Sequence, residues 1–344
     1  MPIRMARPSI FEHRPSRLHI LSAWVAASLI CLAVSAGAAP ATPKRQRHTP
    51  ATIARQGPGT DLAQWCQGIA RIESDGSVER CLSLQLSDGN GRSVKGIPLW
   101  STDIEPPGEA LAEALAEAPT PLRVLVLGGI HADEAASVIL VMDWIARARQ
   151  GGIAQPVHWR MAPLVNPDGF FLPSRTRVNF HGVDLNRNFA THQWSEQARQ
   201  YWIQATRRDP RRFPGPTALS EPESQWVHQQ IESFRPQLIV SVHAPYGVLD
   251  FDGPPPPPSR LGNLMLDQVG IYPGSLGNYG GIVLGVPVVT LELKSANRIP
   301  ATDAAAMWND LQVWIGRKLL NAGGVTASAS PGRAAGDEPI QAGE

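Results

Sequence analysis

Short apolar runs alternate with longer amphipathic segments through the middle of this chain. Each run is rich in Val, Leu or Ile and is bounded by turn residues, which is typical of strands buried on both faces of a sheet. The four runs are LRVLVLGGI at 122–130, PVHWRMAPLV at 156–165, PQLIVSVH at 236–243 and VPVVTLEL at 286–293.

The segments between and after these runs predict helices. In the first segment, apolar residues recur at spacings of three and four until Gly151 ends the pattern. A second helix is predicted to open on a capping box formed by Ser220 and Glu223, and a last one to cover about 301–320. This alternation predicts an α/β fold class, with a mostly parallel sheet covered by helices on both faces.

The N-terminal segment has the features of a secretory signal peptide over residues 1–38. Basic residues precede an apolar run that ends in small residues, and Ala36-Gly37-Ala38 fits the small-x-small cleavage pattern. The alternative is an uncut membrane anchor, because the run has nearly the ~20 residues that a span needs. We favour cleavage, with no stable membrane anchor afterwards, and therefore predict a periplasmic or secreted protein.

Removal of the signal would leave two cysteines, Cys66 and Cys81. An even pair in an oxidising compartment predicts one disulfide, and the alternative is two buried free thiols. The remaining organisation is predicted as follows: a linker at 39–57, a small N-terminal extension at 58–87, a catalytic domain at 88–321 and a disordered tail at 322–344. The net charge of +1 gives no indication of a nucleic-acid partner.

Candidate chemistry lies where the predicted strands end. His131 and Glu134 follow the first strand, and His243 closes the third. Ligands collect at the carboxyl ends of parallel strands, and two His with one Glu form a common set of protein ligands for catalytic zinc. Glu292, near the end of the fourth strand, is a candidate general base. Its alternatives are a salt bridge to Lys294 or an exposed acid on an edge strand.

The stretch RTRVNFHGVDLNRNF, residues 175–189, concentrates Arg, Asn and Asp side chains. Arginine forks bind carboxylates through two parallel hydrogen bonds, and a neighbouring Asn amide adds a further donor. The alternative for any one of these residues is a solvated loop with Asn and Gly turns. The stretch therefore predicts a carboxylate-binding loop only if its side chains reach the candidate metal site.

Taken in order, the motifs GGIHADE, NPDG, GVDLNRNF, SEPES, SVHAP, PGSLGNYGG and PVVTLEL resemble the zinc carboxypeptidase family. The similarity covers roughly residues 88–320. Within the family, the chain most resembles the bacterial amidases that cut murein tripeptide. The resemblance implies one α/β/α domain with a mixed, mostly parallel central sheet, and a single zinc ion held by His131, Glu134 and His243.

The resemblance also implies roles for other residues. Glu292 falls where the family keeps its general base and acid, and Asn186 and Arg187 match the pair that grips the free carboxylate of the substrate. Arg177 matches the arginine that stabilises the oxyanion, with Arg175 as the alternative. The family's mobile tyrosine has no clean counterpart, and Tyr279 is favoured as a residue lining the pocket.

The implied activity is zinc-dependent hydrolysis of an amide bond next to a free carboxylate. In peptidoglycan-derived peptides this would be the γ-D-glutamyl–diaminopimelate bond of murein tripeptide. The alternatives are a metallocarboxypeptidase acting on ordinary C-terminal residues and a deacylase of N-acyl amino acids. A wall-binding protein without catalysis is a further alternative, but it would have little use for the ligands and base together.

Overall fold

A computed structural model describes residues 61–72, 77–106, 121–151, 156–254 and 256–320. Seven strands form the main sheet of this part of the chain, and two further short strands pair with each other. The strands are β1 Ser87–Arg92, β2 Pro98–Ile104, β3 Leu122–Leu127, β4 Val157–Ala162, β5 Leu238–His243, β6 Val248–Asp252, β7 Arg260–Leu261, β8 Leu264–Met265 and β9 Val288–Glu292.

The main sheet has the order β1-β2-β4-β3-β5-β9-β6. Its four central strands, β4, β3, β5 and β9, run parallel to one another, and these are the four strands predicted from the apolar runs. β1, β2 and β6 join at the two edges in antiparallel pairs. The predicted fold class is therefore confirmed, and the parallel centre brings the ends of β3, β5 and β9 to one edge.

Helices cover both faces of this sheet. They are α1 Leu62–Ala70, α2 Val78–Ser83, α3 Ala135–Gln150, α4 Pro167–Phe170, α5 Trp194–Gln204, α6 Pro222–Phe234 and α7 Ala301–Ile315. Alternate residues of β3 face opposite sides: Val124 and Val126 belong to the core on the side of α3 and α7, while Leu125 and Leu127 belong to the core on the side of α6. This double burial explains why β3 reads as a continuous apolar run.

The N-terminal helices are tied together and to the core. Cys66 in α1 and Cys81 in α2 form a disulfide, and Trp65 and Ile69 pack into the same core as α3. The signal peptide at 1–38, the linker at 39–57 and the tail at 322–344 lie outside the described residues and stay predictions. Among the described helices, none has both the length and the apolar character needed to cross a membrane.

One predicted helix start is wrong. The helix α6 begins at Pro222 with Glu221 as its N-cap, and Glu221 makes no side-chain cap. Glu223 does not reach back to form a capping box, because its carboxylate accepts hydrogen bonds from the Val94 backbone N–H at 3.1 Å and from Asn179 Nδ2 at 3.0 Å. Tertiary partners that are distant in sequence have replaced the local cap.

Candidate metal and carboxylate site

A tight turn at the end of β3 carries two of the predicted ligands into the start of α3. Gly129 has a φ of +57°, and a Cβ on Gly128 would lie 2.7 Å from the carbonyl oxygen of Pro163. Both positions therefore favour glycine. The turn places His131 between strand and helix, and Glu134 at the N-cap of α3.

The predicted ligands converge although they come from distant parts of the sequence. His131 Nδ1 lies 2.9 Å from Glu134 Oε1, and His243 Nδ1 lies 3.1 Å from His131 Nδ1 and 3.2 Å from Glu134 Oε2. One donor atom from each residue falls within 4.8 Å of the others. All three side chains are buried, with 2–5 % of their surface exposed.

The outward-facing ring nitrogens make this arrangement fit zinc. His131 Nε2 lies 3.0 Å from Asp184 Oδ1, and His243 Nε2 lies 2.9 Å from Ser241 Oγ. An ionised carboxylate only accepts hydrogen bonds, so Asp184 selects the Nε2–H form of His131 and leaves the Nδ1 lone pair facing the other ligands. Two imidazole nitrogens and one carboxylate oxygen form a donor set that is common for catalytic zinc.

Charged neighbours keep both buried carboxylates ionised. Burial alone would raise the pKa of Glu134, but His131 and His243 hold it well below its usual range. Burial would likewise raise the pKa of Asp184, and there Arg177 and His131 lower it far below its ordinary value. Glu134 is therefore ionised at neutral pH and can act as an anionic metal ligand.

Glu292 lies beside the three ligands with one oxygen free. It is the register partner of His243 on the adjacent parallel strands β5 and β9, and it is 9 % exposed. Its Oε2 atom is buried without a hydrogen-bond partner in the described structure. Burial raises the pKa of this carboxyl, with Glu134 adding to the shift and His243 opposing it. Glu292 lines the cavity, and a carboxylate with a raised pKa and an unused oxygen is suited to accept a proton.

The structure distinguishes between the two candidate oxyanion arginines. Arg177 lines the cavity, donates from Nε to Asp184 Oδ2 at 2.9 Å and places NH1 3.6 Å from Glu134 Oε1. Arg175 points elsewhere, because its NH2 bonds Asn297 at 3.3 Å and its guanidinium lies over the ring of Phe170. Of these two, Arg177 is the arginine that faces the site.

Asn186 and Arg187 also line the cavity. Asn186 Oδ1 accepts a hydrogen bond from the Leu276 backbone N–H at 2.8 Å, which leaves its Nδ2 amide as the available donor. Arg187 is 6 % exposed, and its guanidinium lies 4.6 Å from the ring centre of Tyr272. It makes no ion pair with a described residue, and its Nε atom has no partner. Burial lowers its pKa, with the Asp184 carboxylate opposing the shift and Arg177 adding to it.

Tyr279 does not line the cavity, and the expectation that it does is corrected. Its ring is 4 % exposed and stacks on Phe189, and its hydroxyl lies 2.5 Å from His228 Nδ1. Burial raises the pKa of this hydroxyl to about 12. Tyr246 and Tyr272 line the cavity instead. Tyr246 is 59 % exposed, so it has the space to move over a ligand.

Buried acids outside the cavity hold the 175–189 loop in place. Asn179 donates from Nδ2 to Glu221 Oε2 at 2.7 Å and to Glu223 Oε2 at 3.0 Å. Its Oδ1 accepts from the backbone N–H groups of His181 and Val183, each at 3.1 Å. The loop that carries Arg177, Asn186 and Arg187 is therefore anchored to α6 through one saturated amide.

The cavity contains more than the predicted residues. It has a volume of about 370 Å³ and extends from two of the ligands, His131 and Glu134, past Glu292 to Asp250 and Asp252 on β6. Sequence reasoning missed these two acids, and it gave Asp184 no separate role. An acid at alternate positions of a short strand is an ordinary pattern for a solvated face, so the sequence carried no signal that β6 closes a cavity.

Comparison with known proteins gives a family match over just under half of the chain. Residues 84–250 match the zinc carboxypeptidase family, and these residues carry a zinc carboxypeptidase domain, as the motifs predicted. The match includes the three candidate zinc ligands and the 175–189 loop. Asp252 at the end of β6 and the whole of β9 with Glu292 lie beyond it, so the roles of these residues depend on the geometry described above.

Two relatives carry the name murein peptide amidase A. The one from Escherichia coli (strain K12) is 35% identical over 128 residues, which are 37% of this chain and 50% of that protein. The one from Vibrio campbellii (strain ATCC BAA-1116) is 31% identical over 175 residues, which are 50% of this chain and 63% of that protein. The chain therefore spans 50% and 63% of the lengths of these two relatives, less than two thirds in each case.

A solved structure of murein-tripeptide amidase MpaA from Escherichia coli O157 is also similar. It is 28% identical, and the alignment covers 66% of this chain and 91% of that chain, with a TM-score of 0.45.

Proposed function

We propose that this protein is a zinc-dependent amidase that cleaves an amide bond next to a free carboxylate in cell-wall peptides, at the γ-D-glutamyl–diaminopimelate bond. The observation that carries the proposal is Arg187, a buried guanidinium without an ion-pair partner in the described structure. It lines the same cavity as the ligands His131 and Glu134 and the acid Glu292. A buried arginine left unpaired calls for an anionic ligand, and a carboxylate fits its fork.

His131, Glu134 and His243 would hold the zinc ion. When bound, zinc lowers the pKa of a water towards ~7 and polarises the scissile carbonyl. Asn186 Nδ2 and Arg187 orient the substrate by its free carboxylate. Glu292 accepts the proton of the attacking water on its free oxygen and returns it to the leaving nitrogen.

Arg177 stabilises the oxyanion that develops on the carbonyl oxygen. Its Nε is fixed by Asp184, so the guanidinium is already oriented before substrate arrives. Removal of one donor placed in this way typically raises the activation barrier by roughly 3–4 kcal/mol. The residues of the site therefore divide the work into binding, proton transfer and charge stabilisation.

The names of the two relatives support the choice of murein peptide as substrate. A diaminopimelate leaving group has a free carboxylate next to the scissile bond, as the Asn186–Arg187 pair requires. The other candidates with the same site chemistry are removal of ordinary C-terminal residues and deacylation of N-acyl amino acids. The substrates of these activities differ in the group on the acyl side of the scissile bond, and the family match alone does not distinguish one activity from another.

The test is incubation of the zinc-loaded protein with L-Ala-γ-D-Glu-diaminopimelate, followed by quantification of free diaminopimelate. We expect Glu292→Gln to slow release by about 10²- to 10⁴-fold. The control is Glu232→Gln, an exposed acid on α6 that pairs with His228 and should leave the rate unchanged. Release of diaminopimelate that persists after zinc chelation or after the Glu292 substitution would refute the mechanism. Cleavage of plain C-terminal residues in preference to this tripeptide would favour the carboxypeptidase alternative.

We also propose that the protein is exported. The support is the signal-like segment at 1–38 and the disulfide between Cys66 and Cys81, since disulfides persist in oxidising compartments. The measurement is the N-terminal sequence of the protein recovered from a periplasmic extract or the medium. An intact N-terminus found only in the cytosol would contradict export.

A further inference from the structure

The segment between α5 and α6 contains a cluster of arginines, and one of them lines the cavity. The members of the cluster are Arg207, Arg208, Arg211 and Arg212. The first three are exposed, whereas Arg212 is half-buried and forms part of the cavity wall. A half-buried guanidinium gives up part of its hydration, so it gains more from an anionic partner than a fully solvated one does.

The backbone around Arg212 is held by contacts on both sides. Its N–H donates to the Asp209 carbonyl at 3.0 Å, and the Trp202 indole N–H donates to the same carbonyl at 2.8 Å. The next residue, Phe213, accepts a hydrogen bond from the Asp184 backbone N–H at 2.8 Å, and its ring lies 5.0 Å from that of Trp202. Because Asp184 also contacts the metal ligands, this wall of the cavity is fixed relative to the metal site.

The guanidinium of Arg212 has no anionic partner among the described residues. Its neighbour Arg211 differs in this respect, because its NH2 donates to Asp133 Oδ2 at 2.7 Å. Asp209 also lines the cavity, but in the described structure neither of its carboxylate oxygens lies within 4.0 Å of an Arg212 nitrogen. The donors of Arg212 are therefore available to a ligand.

Arg212 shares its part of the cavity with Arg187. Burial lowers the pKa of Arg187, and the positive charge of Arg212 adds to this shift. Burial raises the pKa of Tyr272, and both arginines oppose that shift, so the two guanidinium groups act on the same hydroxyl. Two cations in one cavity repel each other unless anions bind beside them. The proposed function assigns one carboxylate to Arg187, which leaves Arg212 without a counter-charge.

The proposed substrate has carboxylates to spare. In L-Ala-γ-D-Glu-diaminopimelate, one carboxylate of the leaving residue lies next to the scissile bond, where Asn186 and Arg187 hold it. The γ linkage leaves the α-carboxylate of D-Glu free on the acyl side, and diaminopimelate has a second carboxylate at the end of its side chain. A peptide of apolar residues joined through α-amides has neither of these two groups.

We propose that Arg212 binds a second free carboxylate of the substrate, in addition to the one held by Asn186 and Arg187. The D-Glu residue and the diaminopimelate side chain both supply this chemistry, and the experiment distinguishes them. The inference rests on the proposed function, because it names a residue that determines specificity in the same reaction. It gives the protein a means to select murein peptides over ordinary C-terminal residues.

The experiment measures kcat/KM on four tripeptides that differ only in these two carboxylates. The parent is L-Ala-γ-D-Glu-diaminopimelate. One analogue has the α-carboxylate of D-Glu converted to a primary amide, one has lysine in place of diaminopimelate, and one has both changes. Lysine is diaminopimelate without its second carboxylate, so each change removes one carboxylate and keeps the rest of the peptide.

Arg212→Gln should lower kcat/KM on the parent peptide by about 10- to 100-fold, the loss typical of a hydrogen bond between charged groups. On the analogue that lacks both carboxylates, the variant and the wild type should agree within about 3-fold, because the contact is already absent. The single analogues identify the source. The deficit of the variant disappears on the amidated peptide if Arg212 binds D-Glu, and on the lysine peptide if it binds the leaving residue.

The matched control is Arg208→Gln. Arg208 belongs to the same arginine cluster, is exposed and does not line the cavity, so the change removes the same charge away from the substrate. It should keep the wild-type kcat/KM on all four peptides, and a loss equal to that of Arg212→Gln would overturn a local contact. Arg212→Lys keeps a positive charge and should lose less on the parent peptide than Arg212→Gln does.

The outcomes separate this inference from the proposed function. A deficit of Arg212→Gln that is equal on all four peptides, or a wild-type kcat/KM that is equal on all four, would overturn the contact and leave the amidase intact. Absence of any cleavage by the wild type would overturn the proposed function. In that case calorimetric titration with the same peptides decides. Binding of the parent that Arg212→Gln weakens by about 10-fold or more supports the contact, and equal binding of the parent and the doubly changed peptide rejects it.

Discussion

Asp184 is the buried residue on which both the metal ligands and the oxyanion arginine depend. It has no exposed surface, and its Oδ1 lies 3.0 Å from His131 Nε2 and accepts from the Asn186 backbone N–H at 3.0 Å. Its Oδ2 accepts from Arg177 Nε at 2.9 Å. In Asp184→Asn, one of these two oxygens becomes an NH₂ donor, so the residue can no longer accept from both His131 and Arg177.

The magnitude follows from what is left unpaired. Loss of one partner from a buried ion pair costs about 3–5 kcal/mol of unfolding free energy. We expect about 3 kcal/mol, the lower end, because Arg177 keeps a second carboxylate, Glu134, at 3.6 Å. An amide that donates to His131 Nε2 also favours the Nδ1–H form, which has no lone pair for zinc. Loss of such an outer partner typically weakens metal binding by about 10- to 100-fold.

Two assays measure these effects separately. Competition with a coloured chelator gives the zinc affinity, and urea unfolding of the metal-free protein gives the stability. The matched control is Asp103→Asn, because Asp103 also contacts a histidine and an arginine, His158 Nε2 at 3.1 Å and Arg160 Nε at 3.0 Å. Its side chain is 43 % exposed and lies outside the cavity, so the change should cost below about 1 kcal/mol and leave zinc affinity unchanged.

A zinc affinity of Asp184→Asn within about 3-fold of the wild type would refute the reasoning on metal binding, which expects about 10-fold or more. If stability alone fell, Asp184 would serve only to neutralise Arg177. If both properties stayed at wild-type values, neither contact would matter energetically, and the low pKa assigned to Asp184 would be wrong.

Two further predictions concern stability. Burial raises the pKa of Glu223 to about 7, above the ~4.3 of an unfolded chain, so the folded state binds more protons between these values and stability falls as pH rises through 7. Urea unfolding should show a loss of about 3 to 4 kcal/mol from pH 4 to pH 8 that Glu223→Gln abolishes, and an unchanged slope in the variant would contradict the assignment. The disulfide closes a separation of 15 residues between Cys66 and Cys81, so replacing both cysteines with Ser should cost about 3 kcal/mol. An equal loss from a single Cys66→Ser in reducing buffer, where no disulfide exists, would instead indicate lost packing.

The central strands could be predicted because their signal is local. β3, β5 and β9 are buried on both faces, so each is rich in Val, Leu and Ile, and the chemistry at their ends follows from parallel pairing. The edge strand β1 could not be predicted in this way. Its sequence SDGNGR lacks the Val, Leu and Ile of the central strands, and its glycines Gly89 and Gly91 lie close against the ring of Trp226, a partner distant in sequence.

Side-chain placement failed where a distant partner decided it. Glu223 has the spacing of a capping-box residue, but Val94 and Asn179 offer it buried donors, and the local cap is lost. Tyr279 lies in a part of the chain where a pocket-lining tyrosine is expected. Its hydroxyl pairs with His228 Nδ1 instead, and its ring is buried in the core. In both residues the competing contact lies more than forty positions away, beyond the reach of any periodicity.

The acids of β6, which line the cavity, show the same limit. In VLDFD, Leu249 and Phe251 face the core while Asp250 and Asp252 face the other way, a two-residue alternation that normally indicates a solvated face. What changes the environment is the segment around Val269 and Gly277, which folds over β6 and encloses the acids. A pattern of residues indicates which side chains share a face, but whether that face is solvated or enclosed depends on a segment distant in sequence, here the one that contains Val269 and Gly277.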